Sequence, residues 1–229
     1  MSTSAQGDCM ENKEYFKVIE YIKEQMKNGT IQIGGKLETE RKLSEKLGIS
    51  RPSIREALRS MENIGLIESK QGSGNYLLGD FSKNLTESFS LMLLMKQVDY
   101  VDITEVRRAI ELEAYKIAMR SISDQQLKDI KSCLVNPLNE RFENEILFDR
   151  SFHFAIVKAT GNGFMMNIVE PLASVCEELI EKTLKKATID EREQLAQLHM
   201  QIYLGLEEKN LEKGLSAINA HYDLINQLQ

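Results

Sequence analysis

The chain has 229 residues, 42% of them hydrophobic and 28% charged, with a net charge of −6. That length allows one large domain or two of ordinary size, each able to bury a core, and the composition excludes collagen-like, low-complexity and disordered classes. The longest strongly apolar run, Phe89 to Met95, is far short of the ~20 residues that a membrane span needs.

In chain order, residues 1–11 are polar and aperiodic and are expected to form a flexible tail. They carry no Lys or Arg and no apolar core, so no export signal is expected and the cytoplasm is the expected compartment. Tyr15, Val18, Ile19, Ile22 and Met26 then repeat at helical spacing, and Asn28-Gly29 ends that helix. Ile31 to Leu37 is a short connection. Thr39 is placed to cap a second helix that Gly48 ends. Ser50 is placed to cap a third, with Pro52 in its first turn, where a missing N–H costs little. Ile54, Ala57, Leu58 and Met61 form the apolar face of this third helix, and Gly65 terminates it. Ile67–Ser69 and Asn75–Leu78 are short strand candidates joined by Gln71-Gly72-Ser73-Gly74, a hairpin signal. Three helices followed by a hairpin is the outline of a winged helix-turn-helix over residues 12–79.

A linker is expected over 80–84. Beyond it, apolar periodicity of 3.6 recurs near 85–96, 102–120, 123–135, 141–160, 164–187, 190–208 and 210–228, with no convincing strand. The fold class expected is mainly α: a winged helix-turn-helix followed by an antiparallel bundle of six or seven helices over 85–229. Cys9, Cys133 and Cys176 are odd in number, far apart and without CxxC spacing, so they are read as reduced thiols.

The net charge conceals a division. Residues 11–80 carry 12 Lys/Arg against 11 Asp/Glu, whereas 81–229 carry 17 against 23. A near-neutral domain can still bind DNA if its positive groups share one face. Arg51, Arg55 and Arg59 do so at i, i+4 and i+8, opposite the apolar stripe of the third helix. Such a helix fits the major groove, where arginine bonds two acceptors on guanine or clamps phosphate. Ser50 and Ser53 add hydroxyl donors, and Lys70, Gln71 and the glycines after them suit a wing tip. By itself the row is equally compatible with a solvated charged face, since Glu56 and Glu62 are interspersed. The longer run shifts the balance toward DNA. Leu37-Glu-Thr-Glu-Arg41-Lys-Leu-Ser44, Gly48-Ile-Ser50-Arg51-Pro-Ser53-Ile-Arg55-Glu-Ala-Leu58, Gly65-Leu-Ile67 and Gly72-Ser-Gly74 resemble the DNA-binding domain of GntR-family bacterial transcription regulators. The resemblance implies operator contacts by Arg41, Ser50, Arg51, Ser53, Arg55 and Gly72. Glu38 departs from the family's usual proline, which bears on the loop alone. Pro52 replaces a residue that helps touch DNA in some members, so base specificity does not carry over.

The chain has three histidines, His153, His199 and His221, each within an apolar helical stripe. Asp149 stands four residues before His153 on the same face. A lone inward histidine is ordinarily a hydrogen-bonded core residue, but an inward carboxylate needs a partner or a cation. One Asp and three His on the inward faces of three helices form a plausible ligand set for a first-row divalent ion: zinc first, with nickel or manganese as alternatives. Arg107 lies in the stripe Ile103, Arg107, Ile110, Ala114, Ile117, and Arg108 lies on a more polar face with Glu111 and Tyr115. An inward Arg107 either pairs with Glu111 or Asp149 or receives a ligand carboxylate in a forked contact. Glu105-Val-Arg107-Arg108-Ala-Ile-Glu111, Asp149-Arg-Ser-Phe-His153, Ala159-Thr-Gly161-Asn162, His199 and Ala217-Ile-Asn-Ala-His221 are similar to the all-helical FCD effector domain of the FadR-type subfamily. That resemblance implies a metal held by Asp149, His153, His199 and His221, and a small carboxylate metabolite anchored by Arg107. The expectation is a cytoplasmic, homodimeric regulator, in its simplest form a repressor, that reads a short inverted repeat of operator DNA and has no membrane partner. Two rivals remain: a DNA-binding protein whose metal is purely structural, and a metal-dependent hydrolase fused to a DNA-binding module. No HExxH and no nucleophile elbow supports the second.

Overall fold

A computed structural model describes residues 4–79, 81–134 and 142–228. The chain divides into two compact units, Met1–Asn84 and Leu85–Gln229. Among the described residues no helix is long and apolar enough to cross a membrane.

The first unit contains α1 (Ser4–Lys27), α2 (Glu40–Leu47), α3 (Arg51–Asn63), β1 (Ile67–Lys70) and β2 (Gly74–Leu77). The segment read from sequence as a tail is therefore helical from Ser4 onward, while residues 1–3 lie outside the described residues. Ala5, Gln6, Met10 and Glu11 are good helix formers, and Gly7 alone does not stop the turn begun by the amphipathic segment after it. Thr39 caps α2, and Gly48 closes it in the left-handed conformation with φ +66°. Ser50 caps α3, and Pro52 occupies its first turn. The strands pair antiparallel, with Ile67 opposite Leu77 and Lys70 opposite Gly74. The α1–α2 connection lies along the outer edge of β2, where Leu37 N donates to Asn75 O at 2.8 Å and Leu77 N to Gly35 O at 2.9 Å. Val18, Ile22, Leu43, Ile54, Met61, Ile67 and Leu77 fill the core. All the exposed residues of α3 are thereby turned outward together.

The second unit is helical: α4 (Ser82–Leu94), whose first three residues precede the boundary, α5 (Tyr100–Ser121), α6 (Asp124–Ser132), α7 (Phe142–Ala159), α8 (Gly163–Lys186), α9 (Ile189–Glu207) and α10 (Leu211–Leu228). Helix α4 begins inside the stretch expected as linker, and Asp80 lies outside the described residues. Capping boxes start α5 (Asp99 with Asp102), α6 (Ser123 with Gln126) and α9 (Thr188 with Glu191). Between α7 and α8, Gly161 takes φ +67°, and the Asn162 side chain accepts from Phe164 N and Met165 N at 3.0 and 3.2 Å. Helix α5 packs against α7, α8 and α10, and α10 lies along α9. Tyr115, Phe152, Ile156, Ile202, Leu206 and Ile218 are fully buried between them. Helices α9 and α10 meet closely at Gly205 and Gly214, where the Tyr115 ring fills the space that a side chain would take. This close approach of α9 and α10, with α5 and α7 across from them, brings the three histidines inward.

Candidate functional site

Helix α7 supplies Asp149 and His153, α9 supplies His199 and α10 supplies His221. Each offers one ligand atom, and the four atoms lie within 4.8 Å of one another. His153 Nε2 is 3.2 Å from His199 Nε2, and Asp149 Oδ1 is 3.4 Å from His199 Nε2 and 3.7 Å from His153 Nε2. Donors around one ion with bonds of about 2.0–2.1 Å stand ~3.3 Å apart in a tetrahedral arrangement, so these spacings fit a divalent metal. All three imidazoles are buried, and Asp149 is 15% exposed. Among the described residues, the buried His221 Nδ1 has no hydrogen-bond partner, a costly state that a ligand would relieve.

The electrostatics of the cluster agree with that fit. Burial pulls His199 down to about 4, and the neighbouring His153 adds to the effect. Burial, together with His199 and His153, holds His221 well below its ordinary value. Both rings are therefore neutral near pH 7, with lone pairs available. Burial works against a charged His153, but Glu111 and Asp149 outweigh it and raise this group to about 9. Burial likewise opposes ionisation of Asp149, yet the His153 hydrogen bond and the imidazoles around it keep its carboxyl well below the usual carboxylate range. The neutral His199 and His221 rings and the ionised Asp149 carboxylate are thus in the protonation states that a cation requires of its ligands.

Glu111 and Tyr222 belong to the same network, and sequence reasoning missed both as functional groups. The sequence puts Glu111 on the more polar face of its helix, but it is 2% exposed. His153 Nδ1–H donates to the Glu111 carboxylate at 2.7 and 2.8 Å, and Tyr222 Oη donates to it at 2.7 Å. The contact fixes His153 with Nε2 toward the other ligands. The spacing of Glu111 four residues after Arg107 was the available signal. Tyr115 is fully buried rather than on a polar face, its hydroxyl donating to Ile202 O at 2.9 Å. Arg108 makes an ion pair with Asp223 at 2.6 Å.

Arg107 is buried as expected, but neither Glu111 nor Asp149 lies within ion-pair distance, and it makes no ion pair among the described residues. Burial opposes its charge, while Tyr222, Cys176, Asp149 and Glu111 raise its pKa above the ordinary value. The Cys176 thiol stands beside it. The guanidinium is thus a buried cation without a forked partner.

In the first unit Arg41, Ser50, Arg51, Ser53, Arg55 and Gly72 are all at or near the surface. Ser50 Oγ accepts from Ser53 N at 3.3 Å, and the two hydroxyls are 2.8 Å apart, so both are engaged in capping α3. Arg41 Nη1 meets Glu45 at 3.0 Å. Arg55 is held by Glu40, with Nε–Oε1 at 3.1 Å and Nη2–Oε2 at 2.8 Å. Gly72 takes φ +73° at the wing tip. Lys36 and Lys70 flank the Tyr76 ring at 6.0 and 5.0 Å.

Residues 14–77 match the family model for bacterial regulatory proteins of the gntR family, and residues 102–224 match the FCD domain. Over 86% of this chain and 92% of the relative, the sequence is 28% identical to the HTH-type transcriptional regulator LutR of Bacillus subtilis. It is 26% identical to the putative L-lactate dehydrogenase operon regulatory protein of Escherichia coli, over 86% and 78% of the two chains. The fold matches a solved structure described as Streptococcus agalactiae GntR with a TM-score of 0.70, at 22% identity, covering 95% of this chain and 99% of the other. The FCD model alone spans more than half of the chain, and the relatives are regulators rather than enzymes. The chain therefore belongs to the GntR family of DNA-binding transcription regulators, with an FCD domain as its second unit.

Proposed function

We propose that the protein is a cytoplasmic, homodimeric repressor whose second unit binds a divalent metal and a small carboxylate and thereby controls operator binding. The observation that carries this reading is the convergence of Asp149 and three buried imidazoles within 4.8 Å, with His221 Nδ1 unpartnered among the described residues. Zinc is the first candidate from the nitrogen-rich ligand set, with nickel or manganese as alternatives. When bound, such an ion supplies a Lewis-acidic centre for a carboxylate oxygen. Asp149, His153, His199 and His221 would hold it. Glu111 keeps the His153 ring in the required tautomer. Arg107 offers a preformed fork to the ligand's carboxylate. The name of the Escherichia coli relative ties that protein to an L-lactate dehydrogenase operon, and lactate is a carboxylate of this class. Arg41, Ser50, Arg51, Ser53, Arg55 and Gly72 are the proposed operator contacts, on an inverted repeat read by a two-fold dimer.

Thermal-shift titration with a panel of small organic acids tests the effector half, with and without a chelator. A stabilising acid should lose its effect in the chelator and in Arg107→Ala. Linkage also requires that the acid and operator DNA weaken each other's binding by the same factor. Operator affinity unchanged by every acid that binds would reduce the metal to a structural role.

A further inference from the structure

We propose that Glu40 is a positioning residue for sequence reading: it grips the Nε/Nη2 edge of the Arg55 guanidinium and so presents the Nη1/Nη2 edge to a guanine. The inference rests on the proposed contact between Arg55 and DNA. Glu40 takes Nε–H and one Nη2 hydrogen in a two-point contact. Among the described residues both Nη1 hydrogens and the second Nη2 hydrogen are left over, and the parallel N–H groups of the Nη1/Nη2 edge match the O6 and N7 acceptors of guanine in the major groove.

The pair is poorly explained as a stabilising device. The Arg55 side chain is 56% exposed and that of Glu40 30%, and exposed ion pairs contribute little to folding. Glu40 also feels all three arginines of the reading face. Arg55 is the main cause of its lowered pKa, and Arg51 and Arg59 contribute, yet only Arg55 of the three is bonded to it. A negative charge at that place weakens general attraction to phosphate. Its compensating effect is order. Glu40 is the first residue of α2, whose ends are fixed by the Thr39 cap and the left-handed Gly48, so it is a rigid anchor. An arginine already held in plane loses less rotamer freedom on reaching a base. Arg41 offers a contrast: it meets Glu45 through a single nitrogen, one turn along the same helix, and both side chains are largely exposed.

The test uses the full-length protein and a synthetic DNA duplex library with a randomised central segment, sequenced after selection. Wild type, Glu40→Gln, Glu40→Asp, Arg55→Ala and the Glu40→Gln/Arg55→Ala double variant are compared. Arg55→Ala should erase the preference for one guanine in each half-site. Glu40→Gln should weaken that same preference by about fivefold to tenfold, at the low end of what a bidentate arginine–guanine contact confers. Affinity for an unrelated duplex should hold or rise. Glu40→Asp, which keeps the carboxylate, should retain most of the preference, and Glu40→Gln should change nothing further once Arg55 is gone. If Arg55→Ala erases the preference and Glu40→Gln preserves or sharpens it, Glu40 is not a positioning residue, while the Arg55 contact stands. If Arg55→Ala alters no position, the Arg55 contact and the inference fall together.

Discussion

Glu111→Gln probes whether the buried acid on α5 serves the metal ligands or only the fold. Its carboxylate accepts from His153 Nδ1 at 2.7 and 2.8 Å and from Tyr222 Oη at 2.7 Å, at a position 2% exposed. Glutamine keeps one acceptor oxygen and turns an NH2 toward the other donor. One buried donor is left unpaired, which costs about 1–3 kcal/mol. Urea unfolding in the presence of EDTA measures that part, free of any metal contribution. The second part is functional. Loss of a group that orients a ligating histidine weakens metal binding by about 10–100-fold, or about 1.4–2.7 kcal/mol. Competition for zinc against a chromophoric chelator reads it directly. Tyr222→Phe is the control: it removes one donor to Glu111 but leaves the His153 contact, so its effect on zinc affinity should be clearly smaller. Zinc affinity of Glu111→Gln within threefold of wild type, alongside the stability loss, would refute the orienting role.

Two further outcomes follow from packing and charge. Gly214→Ala places a methyl group on the Tyr115 ring and hydroxyl. Overpacking and disruption of the Tyr115–Ile202 hydrogen bond should together cost about 2–5 kcal/mol. This opposes the ~1 kcal/mol that alanine ordinarily gains over glycine in a helix, so a neutral or stabilised variant in urea unfolding contradicts the packing described. In the first unit, Lys46 and then Tyr21 hold Glu38 below its ordinary value of 4.5. Depressed carboxylates stabilise the fold above their ordinary value and lose that contribution as pH falls through the folded-state value. Stability of the wild-type first unit should therefore fall with acid below about pH 4.5 more steeply than that of Glu38→Gln; equal slopes exclude the Glu38 contribution.

Much of this architecture is legible because local signals agree with it. Thr39, Ser50, Gly48 and Gly65 mark helix ends that need no tertiary information, and the 3.6-residue periodicity after residue 85 locates the helices α4 to α10 among the described residues. The apolar stripes of α7, α9 and α10 likewise point to Asp149, His153, His199 and His221 from sequence alone. Glu111 was legible only in part. Its stripe on α5 is mixed, and whether a carboxylate on such a boundary is buried depends on a partner more than forty residues away, His153. Tyr222, beside the inward His221, reads as ordinary core until Glu111 is set opposite its hydroxyl. The Arg55–Glu40 fork is similarly invisible, because a row of arginines at i and i+4 says nothing about which member a neighbouring helix will hold. The start of α1 at Ser4 differs from expectation because a polar, aperiodic segment gives no amphipathic signal, even when its residues favour helix.

The claim on which the effector-domain account depends is that Asp149, His153, His199 and His221 hold a metal. Elemental analysis of the full-length protein, purified without chelators, tests it most directly. The account predicts about one divalent ion per chain, absent from the His199→Ala/His221→Ala variant. Wild-type protein that contains no metal, and takes up none on titration with zinc, nickel or manganese, would contradict it.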